Sequence, residues 1–158
     1  MYKNGFFASK HKLYLLFQLY NNQIITLALA IKPIMNNKIV IIDDDKDILD
    51  VVQIILADEG YLVVAYDRFV RLEEIMEQQP SVILLDNRLA SGYGDTLCLA
   101  LKSNFNTKHI PVILVSAAEN LEQIAKNCNA DAFLSKPFDL TDFVKLVKHY
   151  SESYNAIR

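Results

Sequence analysis

From Lys38 onward the chain alternates short apolar runs with amphipathic segments. Nearly continuous apolar runs of four or five residues predict strands that are covered on both faces. Strands that alternate with helical segments are typical of βα units and a parallel sheet. The five predicted strands are Ile39–Ile42, Tyr61–Ala65, Val82–Leu85, Val112–Val115 and Ala132–Ser135.

Five further segments carry apolar residues three and four positions apart, the spacing of a helix with one buried face. These segments are centred on Ile48–Ile55, Leu72–Met76, Leu97–Leu101, Leu121–Cys128 and Leu140–Val147. The pattern therefore predicts an α/β fold of five βα units. No Gly-, Ser- or Pro-rich linker interrupts it, so residues 35–158 are predicted to form one domain.

Residues 1–34 have a different character, with four lysines and no acidic residue. The apolar stretch 13–31 is broken near its middle by Gln and Asn residues, whereas a membrane span needs about 20 mainly apolar residues. Three interpretations stay open: an extension upstream of a true start at Met35, a signal-like or weak anchor segment, and a docked helix. Association with a membrane is expected only if this segment belongs to the mature protein.

From Met35 onward the chain holds 12 basic and 19 acidic residues. Such a surface repels nucleic acid phosphates and suits a cation or a basic partner. The two cysteines, Cys98 and Cys128, are too few for a disulfide framework and lie in no Cys/His cluster. We interpret them as reduced packing residues on helices, as in a cytoplasmic protein.

Polar residues follow the predicted strands at one edge of the sheet. Asp43 and Asp44 follow the first strand, Asp86 the third, Ser116 the fourth and Lys136 the fifth. Ligand sites of open α/β sheets lie beyond these carboxyl ends. Carboxylates that converge there repel one another unless a cation compensates, and their oxygens suit Mg²⁺.

A carboxylate that the metal leaves available can attack phosphorus as a nucleophile. Lys136 would then bring a positive charge to one phosphoryl oxygen and Ser116 a hydroxyl donor to a second, while Mg²⁺ holds the third. The pattern indicates phosphoryl transfer to an aspartate.

Four segments together resemble the receiver domain of two-component response regulators. They are IVIIDDDKDI, VILLDNRLASGYGD, PVILVSA and ADAFLSKPF, and the resemblance extends over residues 37–150. It implies a flavodoxin-like, doubly wound sheet with strand order 2-1-3-4-5.

The resemblance also implies roles for single residues. Asp86 accepts phosphate from a phosphohistidine of a sensor histidine kinase or histidine phosphotransfer protein. Asp43, Asp44, Asp86 and the backbone carbonyl of Arg88 bind Mg²⁺. Lys136 binds the phosphate and precedes a cis proline, and Asp45 caps the first helix.

In the same resemblance Ser116 is the hydroxyl switch and Phe133 lies at the aromatic switch position. Because Phe133 has no hydroxyl, any switching there depends on packing. Ala90 stands where the family commonly has proline, which implies a looser loop, and Gly94 occupies the usual glycine position of the turn. The five βα units use up the residues after Met35, so we expect a single-domain module. The resemblance implies that it signals to a protein effector or a phosphorelay and catalyses only its own phosphorylation and dephosphorylation.

Two other functions stay open at this point. A haloacid dehalogenase-like phosphohydrolase would use Asp43 as nucleophile, with Asp43 and Asp45 as its Asp-x-Asp motif. That motif expects Thr or Val where Asp47 stands, together with a later acidic pair that the sequence lacks. A pseudo-receiver would be a non-phosphorylated adaptor, although none of the acceptor, the acidic pair or the lysine is missing.

Overall fold

Five parallel strands form one sheet in the computed structural model, which describes residues 37–157. In chain order they are β1 (Lys38–Ile42), β2 (Leu62–Tyr66), β3 (Val82–Leu85), β6 (Val112–Ser116) and β7 (Ala132–Ser135). Two short strands, β4 (Arg88–Leu89) and β5 (Gly92–Tyr93), pair separately as an antiparallel hairpin. The order across the sheet is β2-β1-β3-β6-β7, which confirms the predicted 2-1-3-4-5 order when the hairpin is left out.

Five helices connect the strands and cover both faces of the sheet. They are α1 (Lys46–Asp58), α2 (Leu72–Gln78), α3 (Gly94–Ser103), α4 (Leu121–Cys128) and α5 (Leu140–Ile157). Buried residues of α1 and α5 pack in one core layer with one face of the strands. Buried residues of α2, α3 and α4 pack in a second layer on the other face. This doubly wound arrangement confirms the predicted fold class.

The prediction that every strand is covered on both faces is wrong for the two edge strands. Leu62 in β2 is 68% exposed, and Phe133 in β7 is 41% exposed. An edge strand has a neighbour on one side only, so part of its apolar surface meets solvent. The boundary of β2 also differs from the prediction, since β2 begins at Leu62 rather than at Tyr61.

The interpretations of residues 1–34 concern a segment that lies outside the described residues. Within residues 37–157 no helix is both long and apolar enough to cross a membrane. The division into an N-terminal extension and a domain over 35–158 stays a prediction.

Candidate functional site

Adjacent strands bring the polar residues to one edge of the sheet. β1 lies between β2 and β3, and β6 lies between β3 and β7. The Asp86 backbone N–H donates to the Ile42 carbonyl at 2.8 Å, and the Lys136 N–H donates to the Ser116 carbonyl at 3.0 Å. The sheet therefore holds these strand ends level with one another.

Three carboxylates meet at this edge. Asp43, Asp44 and Asp86 each offer an oxygen, and these oxygens all lie within 4.8 Å of one another. Asp43 and Asp86 are buried, whereas Asp44 is exposed. The cluster thus combines two buried carboxylates with one that is open to solvent, which suits a cation that keeps some of its water ligands.

Lys136 lies between the two buried carboxylates. Its Nζ is 2.5 Å from Asp43 Oδ2 and 3.6 Å from Asp86 Oδ2. The other oxygen of Asp43 accepts the Asp45 backbone N–H at 3.0 Å. Burial raises the pKa of the Asp43 carboxyl above its usual 3.8, and it outweighs the lowering effect of these two hydrogen bonds. One ammonium does not balance three carboxylates, so the site favours an additional cation.

Two buried polar atoms at this edge have no hydrogen-bond partner among the described residues. They are Asp86 Oδ1 and Ser116 Oγ. A buried polar atom without a partner is costly, so native proteins rarely keep one unless a ligand or ordered water meets it. Both atoms belong to residues that the sequence analysis assigned to the site.

The first residue of α3 approaches the acceptor position closely. A Cβ atom at Gly94 would lie 2.1 Å from the Asp86 carbonyl oxygen and 2.9 Å from Asn87 Cα. Gly94 has no positive φ, so glycine is needed at this position for the close approach of the backbone. Its N–H donates to the Asn87 carbonyl at 3.0 Å.

Asn87 supports the structure next to the site, and the sequence did not single it out. Its buried side-chain oxygen accepts the Asp95 N–H at 3.0 Å and so ties the start of α3 to the end of β3. Because this contact joins residues eight positions apart, no local turn signal in the sequence predicts it.

The remaining predicted residues lie around this centre. Arg88 is exposed and begins β4, two residues after Asp86. Asp45 caps α1 as predicted, because its Oδ1 accepts the Asp47 and Ile48 N–H groups at 3.0 and 3.2 Å. The Lys136–Pro137 peptide bond is cis, also as predicted.

Comparison with known proteins identifies the family. Residues 39–148 match the model of the response regulator receiver domain. The chain belongs to this family. The match covers more than two thirds of the sequence and includes every strand end that forms the site.

Solved structures of receiver domains are similar over the same region. A CheY-like receiver domain protein from Methanospirillum hungatei JF-1 has 26% identity and a TM-score of 0.70, covering 77% of this chain and 98% of that chain. A two-component response regulator from Clostridium difficile has 26% identity and a TM-score of 0.65, covering 75% and 98%. NtrX from Brucella abortus has 26% identity and a TM-score of 0.68, covering 78% of this chain and 29% of NtrX.

Family membership argues against the phosphohydrolase function. The receiver family is a family of signalling domains, so a haloacid dehalogenase-like hydrolase with Asp43 as nucleophile is no longer favoured. The geometry agrees, because both oxygens of Asp43 already accept hydrogen bonds, from Lys136 and from Asp45.

Proposed function

We propose that Asp86 accepts a phosphoryl group in a Mg²⁺-dependent reaction and that the domain then signals to a protein partner. The observation that carries this proposal is the buried, unpartnered Asp86 Oδ1 inside a cluster of three carboxylates beside Lys136. A nucleophile needs an available oxygen lone pair, and at Asp86 one carboxylate oxygen meets this condition.

The donor set fits a magnesium ion. Carboxylate oxygens from Asp43, Asp44 and Asp86, with the backbone carbonyl of Arg88, would hold Mg²⁺ and leave room for water and phosphate. Bound Mg²⁺ supplies positive charge to the phosphoryl oxygens during transfer.

The chain's own side chains orient and neutralise the phosphoryl group. The Lys136 ammonium is 3.6 Å from Asp86 Oδ2, so it lies where a phosphoryl oxygen on Asp86 carries negative charge. The unpartnered Ser116 hydroxyl can donate a hydrogen bond to a second oxygen. Burial of Asp86 limits the access of water, which protects the acyl phosphate from hydrolysis.

The Ser116 hydroxyl would also couple phosphorylation to signalling. When Ser116 turns toward the phosphoryl group, it leaves space behind it at the end of β6, and Phe133 on the neighbouring strand β7 moves inward. Leu114 and Phe133 are register partners, and Phe133 is 41% exposed before phosphorylation. The change would alter the face formed by α4, β7 and α5, to which a downstream protein effector or phosphorelay partner binds.

The phosphoryl donor in this proposal is a phosphohistidine on a sensor histidine kinase or a histidine phosphotransfer protein in the cytoplasm. The domain is not an enzyme for an external substrate and promotes only its own phosphorylation and dephosphorylation. A nucleic acid partner is not part of the proposal, because the domain carries more acidic than basic residues.

The proposal is tested with acetyl phosphate as a small donor. Incorporation should need Mg²⁺, stop with EDTA, and disappear in Asp86→Ala. The control Asp58→Ala, which changes an exposed carboxylate at the end of α1, should incorporate like the unaltered chain. A pseudo-receiver would show no incorporation in any form, and that result would refute the proposal.

A further inference from the structure

A small cavity lies at the edge of the sheet opposite Asp86, where β3 and β6 begin. Its volume is about 220 Å³. Three segments surround it: the end of α2, the loop between α3 and β6, and the last turns of α5. None of the residues to which the sequence analysis gave a role is among the described residues that line it.

The cavity combines an apolar floor with a polar rim. Ile110 and Tyr154 are at most 5% exposed and form the floor, where the Tyr154 ring stacks on that of His109 at 5.8 Å with 15° between the ring planes. Gln79, Asn106 and His109 are exposed and form the rim. The cavity therefore offers aromatic and aliphatic surface next to side-chain amides.

The loop that forms one wall is fixed by its own hydrogen bonds. The Asn104 carbonyl accepts the N–H groups of Thr107 and Lys108 at 3.1 and 2.9 Å, and Asn104 Oδ1 accepts the Asn106 N–H at 2.8 Å. The buried Thr107 hydroxyl donates to the Leu101 carbonyl at 2.7 Å. This wall is formed before any ligand arrives, so binding does not have to order it.

Gln79 holds a strained backbone at the rim. Its φ is 51° and its ψ is 54°, the left-handed region that non-glycine residues rarely adopt. It also precedes Pro80, and a residue before proline favours an extended backbone. Strained residues are kept mainly where a ligand site or another function requires them. Gln79 is thus a second observation that points to this cavity.

We propose that the cavity binds a small uncharged heteroaromatic ring with amide-type donors and acceptors, the class that includes uracil and nicotinamide. No Asp, Glu, Lys or Arg is among the described residues that line it, so an ionised ligand would find no opposite charge. The amides of Gln79 and Asn106 each provide a donor and an acceptor. Liquid water takes about 30 Å³ per molecule, so a cavity of about 220 Å³ has room for a single ring.

A ligand in this cavity would contact α5, because Tyr154 belongs to that helix. α5 also forms part of the face proposed to signal. A ligand that binds two forms of the domain with different affinities shifts the equilibrium between them. This consequence rests on the proposed function, whereas binding itself does not. The cavity and the phosphoacceptor site share no residue, so either proposal can fail without the other.

The test titrates the isotope-labelled full chain with uracil and with nicotinamide and follows the backbone amides by NMR. We expect at least one of the two rings to bind saturably with a Kd of about 1 mM or lower, as a small ring in a pre-formed cavity allows. The shifts should be confined to the loop between α3 and β6, the end of α2 and the last turns of α5. Toluene, which lacks donors and acceptors, should bind more weakly.

Two variants test the amides of the rim. Asn106→Ala should raise the Kd of the bound ring by roughly three- to tenfold, because one hydrogen-bonding group is lost. Gln79→Gly should raise it similarly while the Tm stays equal or rises, since glycine adopts a positive φ without strain. The control Lys108→Ala changes an exposed residue of the same loop that does not line the cavity, and it should bind as the unaltered chain does.

Three results would overturn the proposal. The first is that neither ring gives a saturable shift up to about 10 mM, a concentration at which a ring held by the rim amides would be bound. The second is an unchanged Kd in both Asn106→Ala and Gln79→Gly. The third is tighter binding of the nucleotide UMP than of uracil, because a preference for the charged phosphate would mean that the ring is not what the site recognises.

Discussion

The backbone around Asp86 leaves no space for a side chain at position 94. A Cβ there would meet backbone atoms of Asp86 and Asn87, which cannot move without displacing the end of β3. At Gly92 a Cβ would instead meet the ring of Phe69, at 2.7 Å, and a partly buried side chain can shift. The two glycines therefore differ in what a methyl group would disturb.

We predict that Gly94→Ala lowers the free energy of unfolding by about 1–3 kcal/mol, as expected for overpacking against fixed backbone. Gly92→Ala is the matched control and should cost less. Urea unfolding of both variants provides the measurement. Equal losses in the free energy of unfolding would show that the backbone of Asp86 and Asn87 does not exclude a side chain at position 94.

A second prediction concerns the exposed carboxylate of the cluster. Asp44→Asn removes one of three converging charges and should weaken Mg²⁺ binding at least about tenfold. With less repulsion, the metal-free variant should be no less stable than the unaltered chain. The control Asp47→Asn changes a nearby exposed carboxylate outside the cluster. The measurement is the rise in Tm with increasing Mg²⁺, and a similar rise in Asp44→Asn and in the control would count against the metal site.

At the scale of single elements, α2 depends on the contacts of its first turn, because it has only seven residues. Glu74 Oε1 accepts the Arg71 backbone N–H at 3.1 Å, and Oε2 accepts the Arg68 guanidinium at 2.6 Å. These bonds lower the pKa of Glu74 from 4.5 to about 2. A lowered carboxyl pKa stabilises the fold above pH 4.5, and this stabilisation is lost as the pH falls toward 2.

The corresponding prediction is that Glu74→Gln lowers the Tm at pH 7 and that this difference shrinks between pH 4.5 and 2. Glu73→Gln, its exposed neighbour in the same turn, is the control and should show little change at either pH. Thermal unfolding followed by circular dichroism measures both. A Tm difference that stays constant over this pH range would mean that the ionised carboxylate is not what stabilises α2.

A further prediction concerns the inward movement of Phe133 in β7 on phosphorylation. The sequence contains no tryptophan, so Phe133→Trp would introduce a single indole at the switch position. Mg²⁺ with beryllofluoride, which mimics a phosphoryl group on Asp86, should move the indole inward and shift its emission to shorter wavelength. The same variant combined with Asp86→Ala should show no shift. An unchanged spectrum in the first variant would contradict the proposed movement at Phe133.

For the molecule as a whole, the strand and helix pattern could be predicted because burial on a parallel sheet imposes nearly continuous apolar runs. The end of α5 could not be predicted, since its last apolar stripe stops near Val147 but the helix continues to Ile157. Tyr154 accounts for this difference. It lies two helical turns after Val147 but is buried in the layer with α2, α3 and α4, whereas Val147 is buried in the layer with α1.

The strand ends could likewise be predicted, because parallel strands align their carboxyl ends. Contacts between segments that are far apart in sequence, and very short elements, could not be predicted. The β4–β5 hairpin has only two residues in each strand, too short for a periodic pattern. The contact between Gly94 and Asp86, and the pairing of Lys136 with Asp43 in addition to Asp86, follow from the position of loops over the sheet.

The most direct test of the central claim is to locate the phosphoryl group after reaction with acetyl phosphate and Mg²⁺. Peptide mapping by mass spectrometry should find one phosphoryl group per chain, bound to the carboxyl of Asp86. A phosphoryl group on Asp43 or on any other residue, or a chain that stays unmodified while Mg²⁺ is present, would contradict the account.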